Sequence, residues 1–354
     1  MPNVVLRQNK KADERRDFRI DSMRAIGILS VVLAHSRAEN EWIAQLRIFD
    51  VVLLVLLLGN SFYISSINKK LDYIKYVQKR FSKLVIQTWL FLTIFFLLFF
   101  FISVYSNQNY YFTRRVIIRS YLLLDGIGYV WIMRVFFLVA LISPFLLEIS
   151  SRINNDFVYL IFVCGGYLFY IFLLYVNSNL SGLLHLIFSN FIIYGFSYSL
   201  IAAVGIRIPT LNKKGIFFYA FFFLSAFVFL TFSQGYFPLE LQQNKYPPQI
   251  YYLSYGLFMS LMLNLLFNIK FVATIFNNEF VRFLSKSSAW LYFWHIIPVY
   301  IIQFYGTSIP IISKYSLTRF LFILLIAVFI TFAHNVVKLF YKEKVLGSLQ
   351  KLPF

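Results

Sequence analysis

The sequence predicts an all-α, polytopic membrane protein with about ten transmembrane helices. Of its 354 residues, 60% are hydrophobic and only 13% are charged, and the mean hydropathy is +0.72. A soluble protein with that surface would precipitate, whereas a lipid-facing surface requires it. The net charge of +19 is therefore expected on loops beside a bilayer and does not indicate nucleic-acid binding. The single cysteine, Cys164, excludes an internal disulfide and a cysteine-rich metal site.

Ten apolar stretches are long enough, or nearly so, to cross the hydrocarbon core of a bilayer. An even number of spans places both chain termini on the same side of the membrane. The first and ninth stretches are short for a span. In chain order, the stretches are residues 22–38, 47–67, 84–104, 130–150, 157–176, 183–203, 215–233, 250–269, 288–305 and 318–340.

The distribution of basic residues predicts which side of the membrane faces the cytoplasm. With cytoplasmic termini, the inner segments hold 24 of the 33 lysines and arginines. We therefore expect a basic cytoplasmic segment at 1–21, an integral membrane domain at 22–340 and a cytoplasmic tail at 341–354. The expected location is the inner or plasma membrane. The longer outer loops are then 105–129 and 234–249.

Two ionisable residues bracket the first apolar stretch. Arg24 and His35 are separated by AIGILSVVLA, a sequence with one serine and no charge. Eleven helical steps close three turns to within ~20°, which places both side chains on nearly one face, roughly 16 Å apart. Asp21 precedes Arg24 by one turn. Ionisable groups in a bilayer are costly and usually mark a pathway or a reacting centre, and a neutral imidazole can accept a hydroxyl proton.

This opening motif resembles that of the acyltransferase-3 family of integral membrane acyltransferases. In that family, an Asp-x-x-Arg is followed by ten apolar residues and a histidine, as in FRIDSMRAIGILSVVLAHS at 18–36. Further similarities follow in the family's order, and the set as a whole is specific. They are RIFDVVLLVLLLGNSFYIS at 47–65, KRFSKLVI at 79–86, YVWIMRVFFLVALISPFL at 129–146 and SSAWLYFWHIIPVY at 287–300.

Three of these segments depart from the family pattern. In the second-span segment, the family's usual Ser-Gly appears as Leu58-Gly59. The family typically has Arg-x-x-Arg at the start of the third span, followed closely by a proline, whereas this chain has Arg80 and Lys83 and no proline. The fourth-span segment keeps Trp131 and Pro144. It lacks the acidic residue that many members carry between them, and Arg134 lies in that interval instead.

The resemblance implies transfer of an acyl group, commonly acetyl, from acyl-CoA to a hydroxyl of a glycan or glycolipid, without a permanently bound cofactor. His35 would act as a general base or as a transient acyl carrier, with Arg24 and Asp21 as its catalytic partners. Arg80 and Lys83 are three residues apart at the predicted cytoplasmic end of the third span. They would hold the phosphates of coenzyme A.

The acceptor side is assigned to three residues. Tyr292 and His295 lie in a segment similar to the family's late Tyr-x-x-His-x-x-Pro motif. His295 would position the acceptor, support His35, or donate a hydrogen bond to a neighbouring helix. Arg134 would bind the acceptor or extend to the outer interface, since a cation within a span is costly.

Two alternatives fit the same sequence. A transporter or flippase of glycan intermediates would also have ten spans, outer aromatic loops and buried cations, but would not require coenzyme A. An enzyme of the same class would instead use a succinyl or longer acyl donor. The acceptor and its hydroxyl, the oligomeric state and the involvement of a second protein in completing transfer stay open at this point.

Overall fold

The regular structure is helical throughout the described part of the chain. A computed structural model describes residues 17–37, 41–236, 240–306 and 315–349, without the side chains of residues 41 and 341–349. Most of the predicted cytoplasmic N-terminal segment, 1–21, and the end of the predicted tail, 341–354, lie outside these ranges. The all-α prediction is confirmed for the described residues.

Fifteen helices are described, and two of them contain a π-helical turn. The turns are Ser82–Ile86 within α4 and Phe188–Ile193 within α8. In chain order, the helices are α1 (Phe18–Ser36), α2 (Glu41–Arg47), α3 (Asp50–Ser66), α4 (Tyr73–Tyr105), α5 (Arg114–Tyr121), α6 (Trp131–Arg152), α7 (Asp156–Ser178), α8 (Gly182–Thr210), α9 (Lys213–Gln234), α10 (Ile250–Leu266), α11 (Lys270–Phe276), α12 (Glu279–Lys286), α13 (Ser288–Trp294), α14 (Ile296–Tyr305) and α15 (Ser316–Leu349).

Fewer helices can cross a membrane by themselves than the sequence predicts. Seven helical segments in the described residues are long and apolar enough, with α2 and α3 counted together as one segment, Trp42–Ser66. The number is eight if α10 and α11, which meet at 94°, form one broken span. The prediction of about ten is therefore not confirmed. When the broken span is counted, the two predicted stretches that do not meet this criterion are the first and the ninth. Helix α1 carries Arg19, Asp21 and Arg24 in its first two turns, and the ninth is divided at His295 into the short helices α13 and α14.

Helix α1 lies at the centre of the bundle. It packs against α3, α10, α12, α13 and α15, and nine of its residues are buried. These neighbours shield its polar residues from lipid, so α1 does not need a uniformly apolar surface. In contrast, α7, α9 and α15 turn most of their side chains outward. We call the two ends of the bundle the Arg24 end and the His35 end, after the residues near the ends of α1.

Helices α3 and α8 approach each other closely through two glycines. A Cβ atom at Gly59 would collide with the backbone carbonyl oxygen of Ala202, and one at Gly205 would collide with that of Leu56. Small residues permit such backbone contact between membrane helices, and dispersion contacts then replace the missing side chains. This contact fixes α3, whose first turn contributes to the candidate site.

We expect Gly205→Leu to destabilise the protein by at least about 1–3 kcal/mol, because the added side chain cannot fit without separating α3 from α8. Thermal unfolding of the purified protein in detergent measures this effect. Gly165→Leu on α7 is the matched control, since nothing lies within 4 Å of a Cβ atom there. Equal unfolding temperatures for the two variants would contradict the described α3–α8 contact.

Candidate active site

A pair of histidines lies at the His35 end of the bundle. His35 Nδ1 and His295 Nε2 are 2.7 Å apart, and the two rings are nearly parallel, with an angle of 10° between their planes. His295 is fully buried between α13 and α14, whereas His35 is half-buried in the last turn of α1. Tyr129 packs edge-on against the His35 ring at a centroid distance of 4.5 Å. The fold thus brings together two residues that are 260 positions apart in the chain.

The arrangement of protons on His35 and His295 decides which nitrogen can act as a base. The Nδ1 atom of His295 is buried and has no hydrogen-bond partner among the described residues. Between His35 Nδ1 and His295 Nε2, the tautomers decide which atom donates. The arrangement that leaves a base facing the cavities is the one in which His35 Nδ1–H donates to His295 Nε2. In this tautomer, His35 Nε2 has a free lone pair and can act as a base.

Two cavities adjoin His35. The first has a volume of about 360 Å³ and lies between α1, α2, α3, α6 and the segment 242–246. The second has a volume of about 310 Å³ and lies between α1, α14 and α15. His35 and Arg37 line both, so a molecule in either cavity would be adjacent to the imidazole. Both volumes are at the lower limit of typical small-molecule sites.

Three charged residues form a cluster in the wall of the first cavity. Asp50 lies in the first turn of α3, and its Oδ2 accepts a hydrogen bond from Arg47 Nη1 at 2.8 Å. Lys245 Nζ donates to Asp50 Oδ1 at 3.3 Å. Asp50 and Lys245 are 2% and 6% exposed. One carboxylate therefore serves two cations in a buried environment, where electrostatic interactions are stronger than in water.

This cluster was not predicted from the sequence. Two signals could have found it: Arg47 and Asp50 are three residues apart at the start of an apolar stretch, and acidic residues within such stretches are rare. Lys245 carried no comparable signal. It was placed in the predicted outer loop 234–249 but without a partner, and pairing across 195 residues depends on tertiary structure.

At the Arg24 end, Asp21 and Arg24 join three helices. Arg24 Nη2 donates to Ser61 Oγ on α3 at 2.9 Å, and Nη1 donates to Ser285 Oγ on α12 at 3.3 Å. Ser285 Oγ donates to Asp21 Oδ1 at 2.6 Å, and Asp21 lies 3.9 Å from Arg24. These bonds tie α1 to its neighbours. The predicted catalytic role of the two residues stays a prediction.

Arg80 and Lys83 lie near the start of α4, as the sequence predicts. The guanidinium group of Arg80 is half-buried and lies 5.1 Å from the centre of the Tyr76 ring. Lys83 is exposed within the π-helical turn of α4. Such turns are rare and frequently occur at functional sites. Their predicted contact with coenzyme A stays a prediction.

The other two predicted acceptor residues, Tyr292 and Arg134, have different surroundings. Tyr292 lines the first cavity, and its hydroxyl donates to the Tyr129 carbonyl oxygen at 2.5 Å. Arg134 is only 4% exposed, and its Nη1 donates to the Leu123 carbonyl oxygen at 2.6 Å. It does not line either cavity beside His35. Arg134 thus fixes the segment between α5 and α6, while Tyr292 fixes the carbonyl beside His35.

The segment between α5 and α6 is further fixed by an ion pair. Arg119 on α5 donates two hydrogen bonds to the Asp125 carboxylate, one of them from Nη2 to Oδ2 at 3.0 Å. This interaction lowers the pKa of the Asp125 carboxyl group. The segment that ends in Tyr129, against His35, is therefore held at Asp125 and at Leu123.

The fold and the site define a class of protein: an all-α membrane protein with an imidazole pair beside two cavities. Residues 17–336 match the sequence profile of a family described as an acyltransferase domain. The chain belongs to this acyltransferase family, which confirms the resemblance found in the sequence. No curated protein and no solved structure shows a significant match to the chain.

Proposed function

We propose that this protein transfers an acyl group, with acetyl as the leading candidate, from acyl-CoA to a hydroxyl of a cell-surface or exported polysaccharide at the inner or plasma membrane. The observation that carries the proposal is the contact between His35 and His295 beside two cavities. An imidazole pair of which one member, His35, faces a ligand-sized space suits proton transfer from a hydroxyl group. Membership of an acyltransferase family supplies the reaction class.

In the proposed reaction, His35 Nε2 takes the proton of the acceptor hydroxyl as its oxygen attacks the thioester carbonyl carbon. The C–S bond then breaks, and coenzyme A leaves as a thiolate that takes the proton back from His35. The products are the acyl ester and free coenzyme A. His295 Nε2 accepts a hydrogen bond from His35 Nδ1–H throughout, which stabilises the His35 imidazolium. The third residue of a catalytic triad orients and stabilises its base in the same way.

The donor is proposed to bind from the cytoplasmic side. Arg80 and Lys83 would contact its phosphates, and Arg24 would orient part of it along α1. Arginine suits bidentate contact with phosphate, and lysine provides a point charge. The charge distribution of the sequence supports this direction, because the inner segments hold most of the basic residues.

We expect Arg80→Ala and Lys83→Ala each to raise the KM for acetyl-CoA by about tenfold, because a hydrogen bond to a charged group contributes about 1.5–3 kcal/mol. The KM for the acceptor and the kcat should change little. Lys79→Ala is the matched control, as Lys79 lies on the same helix and is exposed. Steady-state kinetics of the purified variants measure the effect. An unchanged KM for acetyl-CoA in both variants would remove these residues from the donor site.

Mass analysis of surface glycans from cells with and without the gene tests the proposed function. A missing acyl mass in the deletion, restored by the intact gene and not by a His35→Ala variant, would support it. The missing mass identifies the acyl group, since acetyl and succinyl groups differ in mass. Identical glycans in both strains would refute the proposal. A covalent acyl group on His35, the alternative form of the reaction, would be seen by mass spectrometry of the protein after exposure to acyl-CoA.

A further inference from the structure

Among the described residues, the walls of the two cavities beside His35 carry more basic than acidic side chains. The first cavity is lined by Arg37, Arg47 and Lys245 and, within the described part of the chain, by one acidic residue, Asp50. The second is lined by Arg37 and Arg319, and no acidic side chain of the described residues lines it. The proposed mechanism uses none of these charges. These charged residues lie on both sides of His35, the base in that mechanism.

The Asp50 carboxylate carries a single negative charge. It is shared between Arg47 and Lys245, and Oδ1 also accepts a hydrogen bond from the Val51 backbone N–H at 2.7 Å. Among the described residues, Lys245 Nζ makes a single hydrogen bond, to Asp50, although an ammonium group has three N–H donors. No acidic side chain of the described residues forms an ion pair with Arg37.

A buried positive charge with incomplete pairing is costly, and an anionic ligand would offset that cost. The side chain of Lys245 is only 7% exposed, and besides Asp50 its ammonium group lies 5.7 Å from the centre of the Tyr246 ring. The same cavity has an aromatic wall, in which Trp131 and Tyr246 pack edge to face at a centroid distance of 5.4 Å. Flat aromatic surface beside a few charged donors is typical of small-molecule sites with orientation specificity.

We infer that the acyl acceptor is an acidic glycan, whose carboxylate or phosphate groups bind Lys245 and Arg37 while a neighbouring hydroxyl faces His35. This inference rests on the proposed transfer reaction, because a glycan bound here is an acyl acceptor only if the protein transfers an acyl group. Because Arg37 lines both cavities and His35 lies between them, an acidic chain can extend from one cavity to the other past the base. The sugar that receives the acyl group could then be an internal unit of the glycan chain or its end unit.

Calorimetry in the absence of acyl donor tests this inference. It compares the binding of trigalacturonate and of its uncharged trimethyl ester to the purified full-length protein. The two probes contain the same sugars, and the ester differs by the three methyl groups that remove its charge. We expect the acid to bind at least tenfold more tightly than the ester, and added salt to reduce the difference. Lys245→Met and Arg37→Gln should each reduce that preference at least threefold. Lys214→Met, an exposed lysine at the start of α9, is the matched control.

Equal binding of acid and ester, or no binding of either, would overturn the inference. A preference for the acid over the ester that both variants retain would also overturn it. A third probe, adenosine 3′,5′-bisphosphate, carries phosphates like those of coenzyme A. If the variants weaken this probe and leave trigalacturonate unaffected, the charges serve the donor and the inference is wrong. Arg37→Gln keeps the test valid if Lys245→Met fails to fold, because Arg37 is exposed, whereas Lys245 is buried. The binding measurement does not require transfer, so its failure leaves the proposed reaction standing.

Discussion

His35→Ala is expected to reduce acyl transfer by about 10²–10⁴-fold, the range in which general acid–base catalysis contributes to rate. The variant removes the lone pair that accepts the hydroxyl proton and leaves His295 without its partner. Insertion into the membrane and thermal stability should change little, because His35 is half-buried at the end of α1 and borders open space. Initial rates with acetyl-CoA and a purified acceptor measure the effect.

His185→Ala is the matched control for His35→Ala. His185 is exposed in the first turns of α8 and has no assigned role, so its removal tests the general consequence of losing a histidine. We expect the His185 variant to keep the full rate. Full activity in the His35 variant, at equal protein abundance, would rule out His35 as either base or acyl carrier.

His295→Ala is expected to reduce the kcat by about 10²-fold, because the His35 ring loses the acceptor that fixes its tautomer and stabilises its charged form. His295 does not line either cavity, so the KM for donor and acceptor should stay nearly constant. The same kinetic assay, with kcat and KM measured separately, checks this prediction.

His295→Gln distinguishes positioning from packing. The glutamine amide oxygen can occupy a place similar to that of His295 Nε2 and accept the His35 Nδ1–H bond, so we expect partial recovery of the kcat relative to His295→Ala. His295→Phe keeps the volume and removes the acceptor, and it should be as slow as the alanine variant. Equal rates for the glutamine and phenylalanine variants would show that the ring only fills space.

The first motif could be predicted from the sequence because it is local. Arg24, His35 and the apolar residues between them belong to one helix, and helical geometry alone relates them. The late histidine could be identified only as a candidate. Its contact with His35 depends on the packing of α13 against α1, which no sequence spacing encodes.

The predicted number of spans is not confirmed, and the two stretches concerned share a physical feature. Hydropathy identifies helices that face lipid, and seven helices satisfy it alone. Helix α1 and the pair α13–α14 are enclosed by other helices, so their surfaces are not selected for contact with lipid. The charged cluster of Asp50, Arg47 and Lys245 was missed for a related reason, because its members come from three separate elements.

The enclosed position of α1 has a consequence for how the protein is assembled in the membrane. A helix with Arg19, Asp21 and Arg24 in its first two turns partitions poorly into lipid on its own, and so do helices as short as α13 and α14. Each would enter the bilayer stably only once partner helices are present. The two histidines therefore meet late in biogenesis, when most of the chain has been inserted. A truncated or partly inserted chain would hold two separate imidazoles and no reactive centre.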